Sequence, residues 1–347
     1  MLNEKEKMVL DFIENHPNVS SSEITEGLNG AIPLSTLKRI LGPLVSVHRF
    51  VETTGNRKST RYRLSRTYQL FVPINIDTYF SREIDERTIL TGFNFDLISH
   101  LLHQTPLFNE EEMKQLTALQ KRFTDNMATL TPVEYRMEME RLGVDLSWKS
   151  SQIEGNTYSL LETEKLLREK ETAAGKTKDE AIMLLNHKDA LDFIVANSDY
   201  MQILTPVKIE NIHRLLIKDL GVGYNIRTRR VGITGTNYHP IDNEFQIREA
   251  MEQTCAEVNS RNNVFEKALL ALVLLSYIQP FMDGNKRTAR IVSNALLIAN
   301  GYCPLSFRTV DSIDYKKAML LFYEQNNLNS FKQIFMEQFA FAVSNYF

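Results

Sequence analysis

The sequence predicts a mainly α-helical chain in which a small mixed unit precedes a larger helical body. Three observations carry this reading. Glycine and proline are sparse, 14 and 10 of 347 residues, while Leu, Glu, Lys and Ala recur at helical spacing. Helix-start signals recur: Ser20-Ser21-Ser22-Glu23, Ser159-Leu160-Leu161-Glu162 and Thr177-Lys178-Asp179-Glu180 each place a carboxylate three residues after a capping hydroxyl. Only one pair of neighbouring β-rich runs stands out in the first part of the chain, around Gly55-Asn56.

Composition narrows the function classes. At 347 residues and 43% hydrophobic content, the chain is long enough for two or three domains with packed cores. Lys+Arg 40 against Asp+Glu 43 leave a net charge of −3, so no global field draws the molecule onto nucleic acid or an anionic membrane. Any basic face must be local. Cys255 and Cys303 lie far apart, which points away from a disulfide scaffold and a zinc cluster. Met1 to Lys7 carries both charge signs and lacks the apolar stretch of a signal peptide. The longest apolar run, Ala268 to Ile278, falls short of the ~20 residues that span a bilayer. The expectation is a cytoplasmic protein that does not engage membranes.

Taken in order, residues 1–66 read as a winged helix-turn-helix. A first helix stops at Asn15-His16-Pro17, where proline disfavours helix in the residue before it. Ser20 opens a short second helix through Leu28, and a third begins near Pro33 with apolar Leu34, Leu37, Leu41 and Leu44. Gly42-Pro43 should bend or end it. Phe50 to Thr54 and Ser59 to Leu64 then form a hairpin. Acidic residues come first in this unit and basic ones later. Lys38 and Arg39 fall on the third helix and Arg57, Lys58 and Arg61 on the wing, where duplex DNA would meet them.

Residues 67–131 read as a helical connector that packs on the body, with Phe71 to Asn75 extended and Asn94 to His103 and Glu110 to Asn126 helical. No chemistry is assigned to it. From Pro132 a buried stripe of Tyr135, Met139, Leu142 and Leu146 predicts a helix to about Gly155, and helices follow to the C-terminus. Val231 to Tyr238 alternates like a short hairpin.

The chemistry concentrates in Gln279-Pro280-Phe281-Met282-Asp283-Gly284-Asn285-Lys286-Arg287-Thr288-Ala289-Arg290. Gly284 permits a tight turn, and the amides after it leave a helix N-terminus, which favours anions. Arg287 and Arg290 are three apart, hence on one helix face, and can grip the same polyphosphate. Asp283 is a hard oxygen ligand suited to the Mg²⁺ that accompanies a nucleotide. The pattern matches neither a Walker loop nor a Rossmann turn.

This stretch resembles the signature of the Fic (Fido) family, H-P-F-x-D-G-N-[GK]-R-x-x-R, at every signature position but the first. The resemblance implies a Fic helical bundle over residues 132–347 with a small β-hairpin flap. It also implies ATP binding by Gly284, Asn285, Lys286, Arg287 and Arg290, Mg at Asp283, and AMP transfer to a hydroxyl of a target protein. Lys286 also resembles the Doc-type kinases of the family. Ser150-Ser151-Gln152-Ile153-Glu154-Gly155 resembles the family's inhibitory motif, [S/T]-x-x-x-E-[G/N], in which the glutamate pairs with the second arginine, here Arg290. Val231, Ile233 and Gly235 correspond to the flap that guides the target, and the family's habit of dimerising extends to an expected homodimer. The departure is Gln279, which stands where the family has its catalytic histidine. An amide has no nitrogen that titrates near neutrality. The expectation is therefore an ATP- and Mg-binding regulator with impaired protein AMP transferase activity. The alternative is an active transferase of altered chemistry.

Overall fold

The computed structural model describes residues 2–347, apart from the side chain of Lys58. The expected DNA contact of that lysine therefore lies outside what is described. Three helices, α1 (Glu4–Asn15), α2 (Ser21–Gly27) and α3 (Leu34–Ser46), precede an antiparallel pair, β1 (Val51–Thr54) and β2 (Arg61–Leu64), in register Val51↔Leu64 to Thr54↔Arg61. Asn3 and Ser20 cap α1 and α2 with reciprocal bonds to Glu6 and Glu23. These elements share a core of their own, built on Val9, Ile13, Ile24, Leu37, Leu44 and Val51. The break expected at Gly42-Pro43 does not occur: α3 runs through Pro43 to Ser46. Leu37, Ile40, Leu41 and Leu44 bury one continuous face, which outweighs the single backbone bond that proline deletes.

The connector contains α4 (Tyr68–Phe71), α5 (Ile76–Phe80) and α6 (Glu110–Met127). Two readings change here. Phe71 closes a helical turn instead of opening an extended run, and between Asn94 and His103 only Leu97–Leu101 coils, as a wide π-type turn. Asn94 is drawn out of the helix, since its amide N–H donates to the Tyr277 hydroxyl and its side chain to Asn326. Leu70, Leu97, Leu102, Phe108, Leu116 and Phe123 belong to the same core as the body.

The body comprises α7 (Pro132–Ile153), α8 (Leu160–Glu169), α9 (Lys178–Ala196), α10 (Pro206–Ile217), α11 (Glu244–Ser260), α12 (Val264–Ile278), α13 (Asn285–Ala299), α14 (Ser312–Gln325) and α15 (Asn329–Asn345). Every residue of α12 except Lys267 is buried, and the helix forms the axis on which α11 and α13 pack. The β-hairpin flap expected from Val231 does not form. Residues 231–238 make no ladder, and the one bridge nearby joins His239 to Gly92 of the connector. Gly232 and Gly235 weaken any strand here. Both cysteines are free and buried. Among the described residues no helix is long and apolar enough to cross a membrane, and no cluster of three metal-ligating side chains occurs.

Candidate functional site

The loop between α12 and α13 is shaped by two left-handed residues. Gln279 ends α12 at φ +52, and Gly284 precedes α13 at φ +79. A Cβ on Gly284 would lie 3.1 Å from Ile217, so glycine meets both a conformational and a steric demand. Asn285 ties the loop into a ring. Its Oδ1 accepts from the Phe281 N–H at 2.8 Å, while its Nδ2 donates to the Phe281 carbonyl at 2.8 Å and to Gln279 Oε1 at 3.0 Å. Gln279 Nε2 donates to the Ser276 carbonyl at 2.7 Å, and Arg227, in the buried Ile226-Arg227 segment, holds the Gln279 backbone carbonyl at 2.6 Å. Both ends of the Gln279 amide are thus engaged.

Above this loop opens a cavity of about 410 Å³ whose wall includes Gln279, Asp283, Arg287, Glu154, Val231 and Tyr315. Gly284, Asn285, Lys286, Ile233 and Tyr323 also reach it. The Asp283 carboxylate is 61% exposed and accepts from Arg287 Nη2 at 3.0 Å. Arg287 and Arg290 are buried, and Arg287 Nε and Nη1 and Arg290 Nη1 have no partner. Burial pulls the Arg287 guanidinium below its ordinary pKa against the pull of Asp283. For Arg290 burial acts the same way, but Tyr315 and Glu154 outweigh it and raise its pKa.

Arg290 is clamped to α7. Its Nε donates to Ser150 Oγ at 2.8 Å, and its Nη2 donates to the Ser150 carbonyl at 2.9 Å and to Glu154 Oε1 at 2.8 Å. Lys286 Nζ lies 3.5 Å from the other Glu154 oxygen. Burial alone would raise the Glu154 pKa, yet Arg290 and Lys286 hold it below the usual carboxylate value. Gly155 follows at φ +101 and turns the chain away from the helix. The loop and the glutamate, both singled out by sequence, thus line one cavity.

Other residues act without a motif to announce them. His187 on α9 is fully buried with Nε2 2.7 Å from Ser150 Oγ; burial, then Arg290 and Arg287, push its pKa well below the ordinary value. His213 donates from Nε2 to the Asp283 carbonyl at 3.0 Å and stacks on Phe281 at 3.6 Å, and burial lowers its pKa to about 4. His239 is exposed. Neither His213 nor His239 lines the cavity.

Residues 203–297 match the Fic/DOC family. They form a Fic domain. The chain is 30% identical over 174 residues to the protein adenylyltransferase Fic of Nematostella vectensis, an alignment covering 48% of this chain and 40% of that protein. The corresponding protein of Drosophila ananassae is 30% identical over 156 residues, with 44% and 31% covered. The aligned region therefore spans less than half the length of these relatives. Among solved structures, Fic-1 of C. elegans superposes with a TM-score of 0.60 at 21% identity, covering 68% of this chain and 72% of that one. A Fic domain-containing signaling protein of Bacteroides thetaiotaomicron gives 0.56 at 19% identity, covering 66% and 94%. The helical body thus has the fold of Fic proteins.

Within the Fic domain, Val231 and Ile233 of the flap segment line the cavity, whereas Gly235 does not. Ser150 sits behind the wall, on Arg290. The N-terminal basic residues stand apart from the Fic cavity: Lys38 and Arg39 are exposed on α3, Arg57 is exposed at the turn, and Arg61 pairs with Glu23 of α2.

Proposed function

We propose that the chain binds ATP in the Fic cavity and acts as a nucleotide-responsive regulator whose capacity for AMP transfer to proteins is impaired by Gln279. One observation carries this reading: Arg287 lines a polar cavity with two unpartnered buried nitrogens, and Arg290, fully buried behind the wall, keeps a third. Such buried donors cost about 1–3 kcal/mol each unless an acceptor arrives, and phosphate oxygens suit a guanidinium fork. Arg287 and Arg290 would hold the phosphates, with the amides after Gly284 at the α13 N-terminus. Asp283 is the one carboxylate at the loop, so Mg²⁺ bound there would complete its shell with phosphate and water oxygens. Bound ATP would supply the α–β phosphoanhydride, so that AMP passes to a hydroxyl oxygen as pyrophosphate leaves and the hydroxyl proton is given up.

The chain's own residues set the outcome of ATP binding. Gln279 can orient a hydroxyl but cannot take its proton, and general-base assistance is worth roughly 10²–10⁴-fold. Glu154 occupies the Arg290 nitrogen that a phosphate would otherwise take. The N-terminal unit is proposed as a winged helix-turn-helix that carries the output to duplex DNA through Lys38, Arg39, Arg57, Lys58 and Arg61. Titration of Mg-ATP into the wild type and Glu154→Gly tests the binding. Saturable binding, tighter in the variant, is expected, and no binding in either overturns the proposal. A second reading, an active transferase of altered chemistry, draws on the exposed Asp283 carboxylate at the cavity rim as a proton acceptor. Transfer from labelled ATP that is equal in the wild type and Gln279→His would select it.

A further inference from the structure

The flap segment is held from outside the Fic domain. Its anchors come from residues 79–92 of the connector, where the sequence showed no chemistry, and Arg87 is the centre of them. Arg87 Nη2 donates to the Gly235 carbonyl at 2.9 Å, and Nη1 donates to Glu324 Oε1 on α14 at 3.1 Å. The two side chains are only 4% and 0% exposed. The Phe80 ring lies 5.1 Å from the guanidinium, and the second Glu324 oxygen accepts from the Tyr79 hydroxyl at 2.7 Å. Two further bonds lie along the chain: Asp85 accepts from Asn237 Nδ2, and the Thr91 carbonyl from the His239 N–H, each at 2.9 Å.

A buried ion pair could simply fasten the connector to α14 and leave the flap a bystander. The division of the guanidinium argues otherwise. An ammonium would satisfy Glu324 alone, whereas the planar fork reaches a carboxylate with one arm and a flap carbonyl with the other. That carbonyl belongs to a left-handed glycine, φ +89, at the turn of the flap. The connector bonds thus fall at and after Gly235, while residues 231–234 before it line the cavity.

We propose that Arg87 is a positioning residue for the flap: by tying Gly235 to Glu324 it sets the height of residues 231–234 over the cavity, and with it the placement of a hydroxyl-bearing target segment. The target half rests on the proposed transferase fold; the positioning half does not. The test is Arg87→Lys, which keeps a cation against Glu324 and gives up the reach to Gly235. A second variant combines Arg87→Met with Glu324→Gln and removes both buried charges together. Hydrogen exchange at the Tyr238 and His239 amides, which donate to Thr236 Oγ1 and the Thr91 carbonyl, should quicken at least tenfold in both variants, with α12 and α13 protected as in the wild type. In a Glu154→Gly, Gln279→His background, self-modification read by intact mass should fall at least fivefold in kcat while KM for ATP stays within twofold. Unchanged flap exchange in both variants overturns the proposal, as does a rise in KM for ATP that accounts for the whole loss. If no nucleotide binds at all, the transferase reading fails by itself and the exchange measurement still decides the role of Arg87.

Discussion

Replacing Glu154 by alanine should loosen the free protein and tighten its hold on ATP. Glu154 accepts one charge-assisted bond from fully buried Arg290, at 2.8 Å, worth about 1.5–3 kcal/mol. Its second contact, to partly exposed Lys286 at 3.5 Å, adds less than about 1 kcal/mol. Arg290 keeps Ser150 Oγ and the Ser150 carbonyl, so it stays in place when the carboxylate goes. A phosphate that must displace Glu154 forfeits the carboxylate's bond to Arg290. Its removal should strengthen ATP binding by about 1.5–3 kcal/mol, or roughly 10- to 150-fold. Unliganded stability should fall by a similar amount, so the melting temperature drops without ATP and rises more steeply with it. Calorimetric titration and thermal unfolding at graded ATP read both signs. The Glu154 pKa is depressed, so its ion pair is complete above the ordinary value of 4.5 and disappears only as pH falls below that. The ratio of the two affinities should therefore be flat from pH 6 to 8. Equal affinities for wild type and Glu154→Ala would refute competition between the carboxylate and phosphate.

Three more predictions concern single sites. His187 is buried and held neutral, so below pH 6.5 the unfolded chain takes up a proton that the folded chain refuses. Stability should then fall by about 1.4 kcal/mol per pH unit on its account, a slope that urea unfolding should find removed in His187→Gln; an unchanged slope would contradict its burial as a neutral ring. Gly284→Ala should cost about 1–2 kcal/mol from the left-handed backbone alone, with the 3.1 Å approach to Ile217 adding to it, and a loss below ~0.5 kcal/mol in denaturant unfolding would show that the loop adapts. Alanine at Arg57, Lys58 and Arg61 should make the salt dependence of duplex DNA binding shallower by roughly 0.9 in log–log slope for each phosphate no longer neutralised, with Arg61 giving least because Glu23 already holds it. Absence of DNA binding at any salt would remove DNA as the output.

What could be read from the sequence was what neighbours along the chain decide. Ser159 and Thr177 announce their helices because a cap and its glutamate are three residues apart, and both capping boxes form. The loop from Gln279 to Arg290 was legible for the same reason. Glu154 contacts Arg290, the partner that the family resemblance implied for it, and Ser150 touches the same guanidinium. Pro43 misled because its cost is local and the buried face that overrides it belongs to the assembled N-terminal core. The flap misled because alternation promises a strand only when an edge is available to pair with it. His187 could not be found, since its role depends on α9 packing against α7, and Arg87 lies 237 positions from Glu324.

Gln279 holds its loop with both ends of one amide. The position needs a donor toward the Ser276 carbonyl and an acceptor toward Asn285, and the two ends of one amide supply both. A neutral imidazole also offers one donor and one acceptor. Only the imidazole could leave the ring to accept a proton near neutral pH. Under the proposed function the amide keeps the bonds of the loop, while Arg287 at the cavity wall and Arg290 behind it retain unpartnered donors for a phosphate-bearing ligand. Under that function, such a site binds nucleotide without consuming it, as a switch through Glu154 and Arg290 requires, and AMP transfer by the wild type equal to that of Gln279→His would refute it.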